Sequence, residues 1–78
     1  LSVRHFARAF TLQVGATPHR WLMTRRIERA KQRLAHSDDS LARIAQACGF
    51  AAQSHFTRVF RMMTGETPRQ WQLLHKQS

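Results

Sequence analysis

One pattern of 17 residues occurs twice in this chain, fifty residues apart. The stretch HFARAFTLQVGATPHRW at 5–21 returns as HFTRVFRMMTGETPRQW at 55–71. Over 18 positions aligned without a gap, eight residues are identical, whereas average composition would supply about one or two by chance. The repeat indicates that the chain contains two copies of one structural unit, which limits the folds open to it.

Each copy of the repeat predicts a helix, a turn and the start of a second helix. Apolar residues recur at helical intervals, as with Phe56, Val59 and Phe60 in the second copy. Gly15 and Gly65 follow where the pattern stops, which is typical of a left-handed C-terminal cap. A Thr-Pro pair then predicts a new helix, with Thr as N-cap and Pro as its first residue.

The rest of the chain also has helical patterns, so the predicted fold class is all-α. The long helix that begins at Pro18 is expected to run to about His36, where HSDDS breaks the pattern and Asp39 or Ser40 can cap the next helix. A short helix, a turn at Gly49 and a second amphipathic helix then form a helix-turn-helix unit over 41–63. The two repeated helices are expected at 2–13 and 52–63.

Charge and composition narrow the classes of partner. Thirteen Lys and Arg residues stand against four acidic residues, which gives a formal charge of +9 and a pI of about 11.9. Such a chain attracts polyanions, with nucleic acid as the first candidate and an anionic membrane surface as the second. No apolar run has membrane-spanning length and no signal peptide is visible, so we expect a cytoplasmic protein that does not bind a membrane.

The sequence contains no set of residues arranged to catalyse a reaction or to hold a metal ion. The four carboxylates sit at exposed or capping positions and form no acid–base pair, so we expect no catalytic residues and no enzyme activity. A single cysteine, Cys48, excludes an internal disulfide and is interpreted as an inert core residue. The histidines lack ligand spacing, so no metal site and no cofactor is expected, and His5 and His55 are interpreted as partly buried residues that help packing or touch a phosphate.

The outward faces of the two repeated helices are the candidate binding surfaces. A helical wheel centred on Phe56 places polar and basic residues opposite the buried face, and no acidic residue among them. Between the two helices lies the predicted long helix, about 28 Å in length, and successive turns of the major groove lie roughly 34 Å apart. The outward residues are Gln53, Ser54, Thr57, Arg58 and Arg61 in the second copy, and Arg4, Ala7, Arg8 and Thr11 in the first.

Three stretches resemble the C-terminal DNA-binding domain of AraC/XylS-type bacterial transcription regulators: IAQACGFAAQSHFTRVFRMMTGETPRQW at 44–71, RRIERAKQRL at 25–34, and the upstream HFARAF with GATPHRW. The resemblance implies tandem, homeodomain-like helix-turn-helix units, joined by a long linker helix, that bind adjacent major-groove segments of double-stranded DNA and activate or repress transcription. RNA polymerase is a further candidate partner. The implied base-reading residues are Arg4, Ala7, Arg8, Gln53, Ser54, Thr57 and Arg58, and the implied phosphate contacts are Ser40, Leu41 and Arg61.

The division expected from these patterns is a remnant of a first unit at 1–16, a linker helix at 17–36, and a second unit with a C-terminal helix at 37–78. The chain opens on Leu1 with no cap before the first helix, so we interpret it as an N-terminally truncated piece of a longer protein. Phe6 and Phe10 then lack packing partners, and we expect the first helix either to borrow a second copy of the chain or to be held loosely. Trp21 and Trp71 are expected to be core anchors.

Two alternatives stay open from the sequence. A cationic module built on the arginine-rich helix at 18–36 could bind an anionic membrane surface or a protein partner, although the stripe of that helix contains Ala30 and resembles a core face. An RNA-binding helical domain would need an exposed aromatic stacking platform, which the pattern does not provide.

Overall fold

The computed structural model describes residues 2–77, and this part of the chain contains five α-helices and no strand. The helices are α1 (Val3–Val14), α2 (Pro18–His36), α3 (Leu41–Ala47), α4 (Gln53–Thr64) and α5 (Pro68–His75). The all-α prediction is confirmed, and so are both ends of the long helix. The repeated helices each begin and end one residue later than expected.

The helix boundaries follow from capping chemistry that the repeat supplies twice. Thr17 and Thr67 accept hydrogen bonds from the backbone N–H groups three residues on, at 3.2 and 3.1 Å. Gly15 and Gly65 end α1 and α4 in the left-handed conformation, with φ of 81° and 85°. These side-chain acceptors and glycine caps satisfy backbone groups that a helix end otherwise leaves without partners.

One expectation about the N-terminus is wrong. The sequence was expected to enter its first helix without a cap, but the Ser2 hydroxyl accepts a hydrogen bond from the His5 N–H at 3.1 Å. A serine in front of a helix is a strong N-cap, so α1 begins with one of its free N–H groups satisfied.

The hydrophobic core lies between α2, α3 and α4. Phe56, Phe60, Leu34 and Ile44 are fully buried, and Trp71 of α5 packs against them. The aromatic rings form a chain, with ring centroids 5.3 Å apart for Phe50 and Phe56 and 5.7 Å apart for Phe56 and Phe60. The helix-turn-helix unit α3–α4 is therefore fixed to the second half of α2 by a continuous aromatic and aliphatic core.

Burial also determines the chemistry of the lone thiol. Cys48 is 2% exposed and belongs to the core, as expected. Burial raises the pKa of the Cys48 thiol above its ordinary value, and the positive charges of Arg33 and Arg29 oppose this only in part. Because the thiolate is the reactive form, Cys48 is chemically quiet at neutral pH.

Gln72 of α5 and the residues after α5 contact the C-terminal end of α2 and Ser37, which follows it. Gln72 donates a side-chain hydrogen bond to the Leu34 carbonyl at 3.1 Å, and the Gln77 N–H donates to the Ala35 carbonyl at 2.9 Å. The Lys76 ammonium donates to the Ser37 carbonyl. The last carbonyls of a helix have no partner within it, and two of these contacts supply partners for the carbonyls of Leu34 and Ala35. Together the three contacts hold α5 and the residues after it against the end of α2.

The first helix packs differently from the second copy of its own sequence. Within residues 3–14 no residue is buried, and Phe6 is 54% exposed although its repeat partner Phe56 is fully buried. The exposure of Phe6 agrees with the expectation that it lacks a packing partner, and the apolar stripe of α1 is not a buried face. Phe10 alone makes a defined aromatic contact with α2, at 5.7 Å from Trp21.

The expectation that Trp21 is a core anchor is wrong. Trp21 is 41% exposed and so is not a core anchor like Trp71. The two rings keep the same local geometry, since Phe10 meets Trp21 at an interplanar angle of 75° and Phe60 meets Trp71 at 76°. The difference comes from what surrounds the pair: Phe60 lies within a buried cluster and Phe10 does not.

The turn between α3 and α4 requires a glycine. Gly49 has φ of +93°, and a Cβ atom there would lie 3.0 Å from Nε of Arg26. We expect Gly49→Ala to lower the free energy of unfolding by about 1–3 kcal/mol, because it adds a side-chain collision to left-handed strain. Gly65→Ala is the matched control, since Gly65 has a similar φ and open space around it. Urea denaturation of both variants measures the difference, and equal losses would contradict the collision.

Candidate nucleic-acid interface

An open groove of about 850 Å³ runs along the outward face of α4. The five residues predicted from the second copy all line it. They come together because residues at i, i+3, i+4 and i+7 of a helix share one face, and Phe56 turns the opposite face into the core. The groove is lined by Gln53, Ser54, Thr57, Arg58, Arg61, Met62 and Thr67.

The backbone N–H groups in the first turn of α4 have no side-chain cap and can donate to a ligand. Ala52 is the N-cap residue and makes no side-chain cap hydrogen bond, unlike the serine and threonine caps of the other four helices. The first turn of α4 carries no acidic residue. The positive end of the helix dipole is therefore not neutralised by the chain, and it favours an anion near Gln53 and Ser54.

The two arginines of the groove carry their full charge toward solvent. The ion pairs formed within residues 2–77 join Lys31 to Glu28, Arg33 to Asp39, and Lys76 to Asp38. Arg58 and Arg61 take part in none of them, and both are exposed. A groove with two uncompensated guanidinium groups and no carboxylate in its lining suits phosphate oxygens and the acceptor edges of guanine.

A smaller groove of about 400 Å³ adjoins the first, between the start of α2 and the side of α4. Arg58 and Met62 line both grooves, and His19 and Arg20 of α2 line the smaller one. Sequence reasoning missed these two α2 residues, because nothing in the sequence shows that the start of the linker helix lies beside α4.

The outward residues of α1 form a less complete surface. Arg4 and Arg8 are exposed, as predicted, but Ala7 is half-buried. The Thr11 hydroxyl donates a hydrogen bond to the Ala7 carbonyl at 2.8 Å. Its hydrogen is therefore not available to donate to a ligand. Two arginines one turn apart thus remain as the polar features of this face.

Ser40 and Leu41 lie on a different surface from the α4 groove. They line a groove of about 410 Å³ together with Asp38 and Asp39. The Ser40 hydroxyl accepts from the Arg43 N–H at 3.2 Å as the N-cap of α3. The structure therefore separates these two phosphate candidates from Arg61, and the groove beside them holds two carboxylates together with Arg69 and Lys76.

The histidines contribute to packing. The His55 ring meets the Phe50 ring edge-on, with centroids 5.5 Å apart, and His75 stacks on Trp71 at 4.3 Å. Among residues 2–77, no three His, Cys, Asp or Glu side chains lie close enough together to hold a metal ion.

A family model described as a helix-turn-helix domain matches residues 1–73. The chain belongs to the AraC-type helix-turn-helix family. It is 45% identical over 51 residues to the HTH-type transcriptional activator RhaS of Escherichia fergusonii, which covers 65% of this chain and 18% of RhaS. It is 39% identical over 54 residues to the probable transcriptional regulator LumQ of Photobacterium leiognathi, which covers 69% of this chain and 22% of LumQ. The chain thus spans about a fifth of these relatives.

A solved structure relates the fold to a DNA complex. The DNA-binding domain of AdpA, a global transcriptional factor, was crystallised with a target DNA, and it matches this chain with a TM-score of 0.90 and 32% identity. The match covers 95% of this chain and 67% of the AdpA chain. The named relatives are regulators rather than enzymes, and the comparisons give no support to a membrane-binding module. Across residues 2–77, none of the helices combines the length and the apolar character needed to cross a bilayer.

Proposed function

We propose that this chain binds double-stranded DNA with sequence specificity as the DNA-binding part of a bacterial transcription regulator. The observation that carries the proposal is the α4 groove, in which two uncompensated arginines and four polar residues line an open surface without a carboxylate. The similarity to the AdpA domain supports the same reading, since that domain was crystallised with a target DNA. In this proposal α4 enters the major groove and reads base edges.

The second recognition helix in the proposal is α1. The longest dimension of the chain is 46 Å, which exceeds the spacing of roughly 34 Å between successive major-groove segments. We divide the chain accordingly into a first unit at 1–16, the linker at 17–36, and the second unit at 37–78. The proposed base-reading residues are Arg4, Ala7, Arg8, Gln53, Ser54, Thr57 and Arg58, with Arg61, Ser40 and Leu41 toward the phosphates.

The proposal extends to the setting in which the chain acts. A bacterial regulator of transcription works in the cytoplasm, where its DNA is. Because RhaS is named a transcriptional activator, we include RNA polymerase among the proposed partners. The exposed apolar residues Val3, Phe6 and Val14 share one face of α1 and support self-association of the chain, because a contiguous apolar face gains by leaving water.

Selection from a random pool of duplex DNA tests the proposal. We expect enrichment of a motif read by α4, accompanied by a second element about 10 base pairs away if α1 also reads bases. In the Arg8→Ala variant the second element should weaken while the first persists. Failure of the wild-type chain to enrich any motif, with binding to random DNA retained, would reduce the proposal to non-specific attraction.

A further inference from the structure

A second basic groove, of about 810 Å³, lies between α2 and the end of α3. None of its lining residues belongs to α1, α4 or α5. The proposed function does not use this groove. Its polar lining comes from Arg25, Arg26, Glu28, Arg29, Gln32 and Gln46, and its apolar lining includes Trp21 and Leu22.

The groove carries a large uncompensated positive charge. Glu28 is the one carboxylate in the lining, and it pairs with Lys31 at 3.2 Å. Arg25, Arg26 and Arg29 form no ion pair with any carboxylate of residues 2–77. Three guanidinium groups within five residues of one helix thus face a shared concave surface without partners.

Two of these guanidinium groups are held in place by packing. The Arg26 guanidinium lies over the Phe50 ring, 5.9 Å from its centroid, and against the bare Cα of Gly49. The Arg25 guanidinium lies over Trp21 at 5.5 Å. Aromatic faces position the cations without neutralising them, so less side-chain entropy is lost when a carboxylate binds.

The groove faces away from the proposed DNA surface. Ile27 is buried one turn after Met23, which faces α4 across the smaller groove, and Arg25 and Arg29 lie roughly 160° around the helix from Ile27. A ligand in this groove and DNA on α4 would therefore occupy opposite sides of the core. The positive field at the groove is not explained by contact with the same duplex.

The shape and lining favour a polypeptide. The groove is much larger than a single anion, and it offers the partly exposed side chains Trp21 and Leu22 beside the arginines. Single-stranded nucleic acid would need a free aromatic face for base stacking. Trp21 has Arg25 over its ring and Phe10 packed against it edge to face.

We propose that this groove is a docking site for an acidic polypeptide segment. The segment carries at least two carboxylates, spaced to meet the guanidinium groups of Arg25, Arg26 and Arg29, and one apolar side chain that packs on Trp21 and Leu22. Arginine suits this role because its planar fork binds a carboxylate through two parallel hydrogen bonds. The site gives the chain a protein contact that is compatible with bound DNA.

The test uses a fluorescein-labelled peptide of Glu-Glu-Leu repeats, with a Gln-Gln-Leu peptide as the uncharged comparison. Fluorescence anisotropy with the 78-residue chain measures the affinity, at about 0.1 M ionic strength to suppress long-range attraction. The variant of this groove, called the pocket variant below, is Arg25→Ala/Arg29→Ala. The matched control is Arg43→Ala/Arg69→Ala, which removes the same charge from exposed positions outside the groove.

We expect the pocket variant to weaken binding of the acidic peptide about fivefold or more and the control variant to weaken it less than about twofold. Amide NMR shifts at Gly49 and Gln46 should move on addition of the acidic peptide, and affinity for duplex DNA should fall no more in the pocket variant than in the control variant. Equal losses of peptide affinity in the two variants would overturn the proposal in favour of a general electrostatic field. A selective loss of DNA affinity in the pocket variant would also overturn it, because the groove would then belong to the DNA surface.

Discussion

Phe56→Ala is expected to lower the free energy of unfolding by about 3–5 kcal/mol, the cost of emptying a well-packed aromatic site. Phe56 is fully buried, with Phe50 and Phe60 on either side of it. Small domains have a total stability of about 5–15 kcal/mol, so this variant should lose about a third or more of the stability of a domain of about 10 kcal/mol and unfold at a much lower temperature. Thermal and urea denaturation followed by circular dichroism measure the loss.

Phe6→Ala is the matched control, because Phe6 occupies the equivalent position in the first copy of the repeat. It is 54% exposed, so the same substitution should cost less than about 1 kcal/mol. A loss as large as that of Phe56→Ala would mean that the apolar face of α1 is covered in solution. Sedimentation equilibrium would then show whether a second copy of the chain covers it, as the self-association proposal requires.

The helices themselves were predictable because local chemistry determines their ends. Both ends of α2 follow from signals that do not depend on tertiary structure: Thr17 and Pro18 at the start and the HSDDS break after His36. The grouping of Gln53, Ser54, Thr57, Arg58 and Arg61 in one groove was also predictable, since it requires only helical periodicity and a buried Phe56.

Periodicity alone did not decide what is buried in the first copy: the exposure of Phe6 was expected, but Trp21 was wrongly expected to be a core anchor. A repeated sequence predicts a repeated local conformation. The Phe10 ring packs against the Trp21 ring in the same edge-to-face geometry as Phe60 against Trp71. Whether such a pair is buried depends on distant elements, and the second copy has Phe50 and Ile44 in its cluster. The groove at Arg26 was also not predictable from the sequence. It depends on the contact between Arg26 and Gly49, two residues that are far apart in the sequence.

Arg58→Ala should weaken binding to the selected DNA site by about 1–3 kcal/mol, and should change binding to random DNA much less. Arg58 is exposed in the centre of the α4 groove and has no carboxylate partner within residues 2–77. A bidentate contact with guanine is available only on the correct sequence, so its loss lowers specificity. Competition gel shifts with selected and random duplexes measure both affinities.

Arg61→Ala separates base reading from phosphate contact on the same helix. Arg61 lies one turn further along α4 and lines the same groove, and as a phosphate contact it should lose affinity equally on both duplexes. The slope of log affinity against log salt should also fall by about one for Arg61→Ala, whereas Arg58→Ala should leave the slope nearly unchanged. Arg29→Ala, on the opposite side of the core, controls for the loss of one charge. If Arg58→Ala loses as much affinity on random DNA as on the selected site, then Arg58 contacts phosphate, and specificity must come from Gln53, Ser54 and Thr57.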